Sequence, residues 1–143
     1  MEPVTFEIAK KLKEKGFSKY CISFYALKNF VGEFVDDCGD CYEVDFENGE
    51  LYINYPLKKH QYNIEECCLP APTISQVLKW LRETHNIHIN IYFFRFNGNT
   101  ELNWVFSVEN IKDDFEYDVY SSKCNSYEEA ALAGIENVLD NIL

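Results

Sequence analysis

The chain is predicted to be an α+β protein in which an antiparallel sheet carries its helices on one face. Three observations predict this. Two Asn-Gly dipeptides, Asn48-Gly49 and Asn97-Gly98, each sit between runs of alternating apolar and polar residues, the signature of β-hairpins. Two apolar stripes at helical spacing open on capping-box residues, at Thr73 with Gln76 and at Ser126 with Glu129. The order that results from residue 70 onward is α-β-β-β-α. With 143 residues, 47% of them hydrophobic and 16% aromatic, the chain can bury the core of a single domain. Within it, residues 1–69 supply an N-terminal helix and an acidic hairpin, and residues 70–143 the α-β-β-β-α unit.

The first helix is expected from the N-cap Thr5 to Lys15, since Phe6, Ala9 and Leu12 recur on one side and Gly16 can end it in the left-handed conformation. Tyr20 to Tyr25 reads as a strand, and Ala26 to Val35 is compatible with a short helix or a loop. In the first hairpin a two-residue turn at Asn48-Gly49 sets Phe46 opposite Leu51, Val44 opposite Ile53 and Tyr42 opposite Tyr55. Its other face then holds Glu43, Asp45, Glu47 and Glu50, with Glu47 and Glu50 directly opposed. Lys58 to Pro72 reads as a linker, because Pro70 and Pro72 lack the N–H of a ladder and restrict the residues before them.

The helix capped by Thr73 extends to about Thr84, with Ile74, Val77, Leu78 and Leu81 on its apolar side. The main hairpin runs from Ile87 to Val108. A two-residue turn at Asn97-Gly98 pairs Phe93 with Leu102, Ile91 with Trp104, Ile89 with Phe106 and Ile87 with Val108, a core wall. The opposite face pairs Phe94 with Glu101, Tyr92 with Asn103, Asn90 with Val105 and His88 with Ser107, a mixed surface open to water or a partner. Phe115 to Tyr120 alternates as a third strand. The closing helix, from Ser126 to about Ile142, offers Leu132, Ile135, Leu139 and Ile142 to the sheet.

Twenty-four acids against thirteen bases give a net charge of -11, which repels nucleic-acid phosphates and anionic lipid, so neither nucleic acid nor membrane is an expected partner. Glu33, Asp36, Asp37, Asp40, Glu43, Asp45, Glu47 and Glu50 follow one another with no Lys or Arg between them. Such a run is a solvated face, or a surface that imitates the charge of nucleic acid or meets a basic partner. No run of about eighteen apolar residues could span a bilayer, and the opening acid and proline do not resemble a secretion leader, so the expected location is the cytoplasm. In that compartment the six cysteines are expected as free thiols.

Cys38-Gly39-Asp40-Cys41 is the best metal candidate, because two thiolates with two residues between them can share one zinc ion. A second pair is needed, and Cys67-Cys68 with His60 is the available one, although adjacent cysteines point apart. A redox role would place the motif at the start of a helix, not in an acidic loop. The acidic run lacks the ligand spacing of a calcium hand. His85 and His88 lie at a helix-to-strand junction with no nucleophile elbow nearby, so no catalytic residue is assigned. Tyr92, Phe94 and Tyr120 would form an exposed aromatic patch if their face is uncovered.

The α-β-β-β-α order with its Ser-capped, alanine-rich closing helix resembles the double-stranded-RNA-binding domain. That family contacts RNA through lysines opening its second helix and a histidine in its first hairpin loop. Here Ser126-Tyr127-Glu128-Glu129 and Phe96-Asn97-Gly98-Asn99 supply neither, so the family's binding residues do not carry over. A second resemblance rests on the stretch from Thr5 to Phe17, on Ala71 to Glu83 and on Ser126 to Ala130. These look like small uncharacterised proteins encoded in phages and integrated elements of gut Bacteroidetes. That resemblance implies an accessory phage or prophage protein and supplies no site residues. The function expected is therefore a non-enzymatic, acidic accessory protein of a phage or mobile element, in the host cytoplasm, acting through protein-protein interaction and needing no cofactor. The alternatives are a small structural zinc module built on Cys38 and Cys41, or an enzyme without a recognisable motif.

Overall fold

A computed structural model of the chain describes residues 2–35, 38–53, 64–95, 102–112, 115–117 and 124–143. It is an α+β protein with antiparallel sheets, and it divides into two compact units, Thr5–Pro72 and Met1–Val4 with Thr73–Leu143.

In the Thr5–Pro72 unit, α1 spans Phe6–Glu14 and buries Ile8, Ala9 and Leu12. The Thr5 hydroxyl accepts from the Ile8 N–H at 3.4 Å, satisfying one of the donors that a helix start leaves open. Gly16 has φ +90, and Phe17 N–H donates back to the Leu12 carbonyl at 2.9 Å, which closes the helix as its sequence requires. A three-stranded sheet has the order β4-β1-β5, from Leu51–Tyr52, Phe24–Ala26 and Cys68–Pro70. A separate two-stranded ladder joins β2, Phe30–Val35, to β3, Cys41–Phe46. The helical turn α2, Ile64–Cys67, leads into β5.

Three expectations are corrected here. Ala26 to Val35 is neither helix nor loop along its length, because Phe30–Val35 is a strand. The Asn48-Gly49 turn does not close a hairpin. β3 pairs backward with β2, setting Phe30 opposite Phe46, Gly32 opposite Val44 and Phe34 opposite Tyr42, while β4 pairs with β1. The stretch before Pro72 is not all linker, since Cys68–Pro70 pairs with β1 and places Pro70, opposite Phe24, at the strand's last residue. Aromatic packing accounts for the rearrangement. Phe46 stacks on Phe30 at 4.7 Å between centroids and meets Tyr52 edge-on at 4.7 Å, inside a core with Phe24, Ala26, Cys67 and Cys68.

In the other unit, α3 spans Ile74–His85 under a complete capping box of Thr73 and Gln76, and Asn86, at φ 56, ends it. Pro3 bridges to Thr73 in antiparallel fashion at its start. The sheet has the order β6-β7-β8, from Ile87–Arg95, Leu102–Asn110 and Phe115–Tyr117. α4, Tyr127–Asn141, packs on β6 and β7. The main hairpin exists with its register moved by two residues, so that Ile91 faces Phe106, Phe93 faces Trp104 and Ile89 faces Val108. Asn97-Gly98 lies outside the described residues. A slip of two keeps every side chain on its expected face, since strand side chains alternate with a period of two. Trp104 consequently meets Phe93 edge-on at 4.2 Å, and not Ile91. The face opposite the expected core wall is not an open surface along β7, where Asn103, Val105 and Ser107 are all buried.

The inward side of α4 also differs from expectation. Ala130, Ala131, Gly134, Ile135, Val138 and Leu139 are buried, whereas Leu132 and Ile142 are only half-buried. The small residues let the helix backbone approach the sheet, and a Cβ on Gly134 would lie 2.9 Å from Ile89 Cγ2. Ser126 caps the helix through the Glu129 N–H at 3.1 Å, while Glu129 Oε2 accepts from Asn125 N–H at 3.0 Å.

Candidate functional site

The charged feature of the sequence becomes a hairpin arm. β2 and β3 pair without interruption from Phe30 opposite Phe46 to Val35 opposite Cys41, with Cys38-Gly39-Asp40 at the far end. Gly39 supplies φ +84 there, a conformation that L side chains rarely adopt. The aromatic stack of Phe30 and Phe46 anchors the near end in the core. Strand alternation then sends Val31, Glu43 and Asp45 to one face, where all three are exposed, Val31 at 55%. Tyr42, on the other face, is 46% exposed.

Two of the four expected acids keep their strand positions and two do not. Glu43 lies opposite Glu33, and Asp45 lies opposite Val31. Glu47 and Glu50 flank a turn instead of facing each other across a ladder, with Glu50 N–H donating to the Glu47 carbonyl at 3.1 Å. Other contacts of this turn come from elsewhere in the unit. Gly49 N–H donates to the Ala26 carbonyl at 2.8 Å, Asn48 N–H to Asn29 Oδ1 at 2.8 Å, and Glu47 N–H to the Tyr52 hydroxyl at 2.7 Å. Val31 was missed as a member of this surface. Its signal was the strand-forming stretch from Phe30 to Val35, which the glycine at 32 obscured.

The cysteines separate by environment. Cys38 and Cys41 are exposed at the end of the arm, while Cys67 and Cys68 are buried in the core at its base, so the two pairs proposed for one zinc do not meet. Among the described residues no group of three or more His, Cys, Asp or Glu side chains could hold a metal ion. His60 lies outside the described residues. Burial pushes the Cys21 thiol up to about 11, and burial, then the neighbouring Cys67, push Cys68 up to about 12. Neither is an activated nucleophile.

The junction histidines are also apart in role. His85 packs edge-on against Trp80 at 4.7 Å, with its Nε2 buried and without a hydrogen-bond partner among the described residues, and His88 sits opposite Glu109. Tyr92 is 36% exposed opposite the buried Val105. Phe94 is described by its backbone alone, opposite Asn103, and Tyr120 lies outside the described residues. No helix of the described residues is long and apolar enough to cross a membrane. Comparison with family models, curated proteins and solved structures finds no match.

Proposed function

We propose that the chain is a non-enzymatic, acidic accessory protein that acts by binding another protein, and that the β2–β3 arm is its contact surface. The observation that carries this reading is the exposed face of Val31, Glu43 and Asp45 on a hairpin whose other end is fixed in an aromatic core. Stability does not call for Glu43 and Asp45 as neighbouring like charges on one exposed face. A function for the charge row supplies the missing reason. The partner is basic, by charge complementarity, and nucleic acid is repelled by the net charge of -11. The resemblance of three sequence segments to phage-encoded proteins supports an accessory role for a phage or mobile element inside the host cytoplasm.

The test is charge reversal. Glu43→Lys with Asp45→Lys should leave the fold intact, because both side chains are exposed, yet abolish capture of the partner from host lysate. Capture by the unaltered protein should also fade with added salt, as exposed charges are screened over about 10 Å at 0.1 M. A partner retained through both changes sinks the reading. So does salt-sensitive binding of a duplex RNA of about 20 base pairs at physiological salt, which would restore the RNA-binding resemblance.

A further inference from the structure

We propose that the rings of Phe93, Trp104 and Tyr127 form a second binding site, which takes an arginine side chain of the partner. The proposal rests on the reading of the chain as a binder of a basic protein, and it adds a contact in the unit that does not hold the arm. Phe93 and Trp104 face each other in the β6–β7 ladder, and strand alternation puts them on the side of Ile89 and Phe106, against which Gly134 of α4 lies. The helix covers that side unevenly. Its chain enters beside Trp104, where Trp104 N–H donates to the Cys124 carbonyl at 3.0 Å and Cys124 N–H donates to the Trp104 carbonyl at 3.2 Å. Tyr127, the first residue of α4, then brings its ring to 5.8 Å from the Trp104 ring at an interplanar angle of 89°. Phe93 meets the same indole at 4.2 Å and 83°. Two rings therefore stand nearly perpendicular to a third. Trp104 is half-buried, while Phe93 is 47% and Tyr127 40% exposed, so a side of the sheet that is core under the helix ends in aromatic surface that meets water.

The chemistry around these rings selects a cation. The face of an aromatic ring attracts a positive charge held within about 6 Å of its centroid, and rings set at right angles can offer one ligand more than one face. Among side chains, the planar guanidinium of arginine both stacks on such a face and keeps its charge. The neighbouring charges have the matching sign. Glu128, next to Tyr127, is exposed in the first turn of α4, Glu136 and Asp140 follow on the same helix, and residues 124–143 contain no Lys or Arg. An apolar side chain would gain nothing from these carboxylates, and an anionic one would be repelled by them.

The probe is acetyl-Gly-Arg-Gly-amide, titrated into the isotope-labelled full chain while the indole N–H signals of Trp80 and Trp104 are followed by NMR; Trp104→Phe identifies which signal is which. The control peptide carries citrulline in place of arginine, nearly the same shape without the charge. The Arg peptide is expected to shift the Trp104 signal saturably, and the citrulline peptide to bind at least about tenfold more weakly. Tyr127→Leu and Phe93→Leu, each with the amide spectrum of the folded chain retained, are each expected to weaken the Arg peptide about threefold or more. Should Phe93→Leu lose the fold, Tyr127→Leu, at an exposed position, carries the comparison alone. Equal affinity for the two peptides would overturn the cation site and leave an apolar patch. An unmoved Trp104 signal, or Arg binding indifferent to the ring substitutions, would overturn it as well. None of these results decides the charge-reversal capture, whose residues lie in the Thr5–Pro72 unit.

Discussion

Alanine at Gly134 sets two effects of opposite sign against each other. Glycine inside a helix costs about 1 kcal/mol relative to alanine, so on a free helix face Gly134→Ala would stabilise α4 by about that amount. Here the new methyl group would lie 2.9 Å from Ile89 Cγ2 and 3.2 and 3.3 Å from Phe106 Cγ and Cδ2. Neither neighbour yields readily. Ile89 Cγ2 is fixed to a branched Cβ with stiff χ1, and Phe106 is buried within the strand β7. Overpacking of this kind costs about 1–3 kcal/mol, so the net expectation is destabilisation by about 1 kcal/mol, or a few degrees in Tm. Urea unfolding followed by tryptophan fluorescence reads it out, because both tryptophans, Trp80 and Trp104, belong to the unit that holds α4. In an Ile89→Ala background the obstruction at Cγ2 is gone, and the same Gly134→Ala change should become neutral or stabilising. That sign reversal corresponds to a coupling of about 1–2 kcal/mol in a double-mutant cycle. Stabilisation of the otherwise unaltered protein by about 1 kcal/mol would refute the close approach of α4 to the sheet.

Iodoacetamide at pH 8 should label Cys38 and Cys41 rapidly and leave buried Cys21, Cys67, Cys68 and Cys124 slow until denaturant is added; mass spectrometry counts them. Burial raises the folded-state pKa from 9.0 to about 11 for Cys21 and about 12 for Cys68, so their contribution to stability is complete below pH 9. It should be lost as pH climbs toward those values, because only the unfolded chain releases the protons; a urea midpoint flat from pH 8 to 11 would contradict this. Thr73→Ala removes the hydroxyl that accepts from Gln76 N–H at 3.3 Å and should cost about 1 kcal/mol, whereas Thr73→Ser should cost much less; equal losses would show that the capping box contributes nothing.

The helices and the α-β-β-β-α order were legible because their signals are local. Thr73 with Gln76 and Ser126 with Glu129 each mark a helix start within one turn of chain, and Gly16 and Asn86 adopt the left-handed conformations that end α1 and α3. The main hairpin was legible in its faces but not in its pairs. Assuming a two-residue turn placed Ile91 against Trp104, whereas the ladder sets Phe93 against Trp104, and no residue in the strands themselves distinguishes registers that differ by two. The inward side of α4 was misread because apolar bulk was counted and closeness was not, although Ala130, Ala131 and Gly134 are what admit the sheet.

β3 is the instructive failure, since two short hairpins compete for it and the stronger local turn loses. Pairing across Asn48-Gly49 would set Phe46 against Leu51, an ordinary contact with a flexible partner. Pairing with β2 gives Phe46 the stack on Phe30 and lets Tyr52 meet it edge-on, two aromatic contacts worth about 0.5–1.5 kcal/mol each beyond their buried area. The Asn-Gly turn is not wasted by this choice. Its N–H groups at Glu47, Asn48 and Gly49 are taken up by Tyr52, Asn29 and Ala26, each such bond contributing about 0.5–1.5 kcal/mol net, and the turn becomes the corner between two sheets. None of those partners can be read from the turn sequence. The rearrangement also moves the charge repulsion instead of removing it. Glu47 no longer opposes Glu50, but Glu43 and Asp45 share one exposed face of the arm, so the fold that wins on packing still carries like charges to the surface. Like charges kept on the surface through a change of partner strand call for a reason outside the fold, and a basic partner at that arm would supply one.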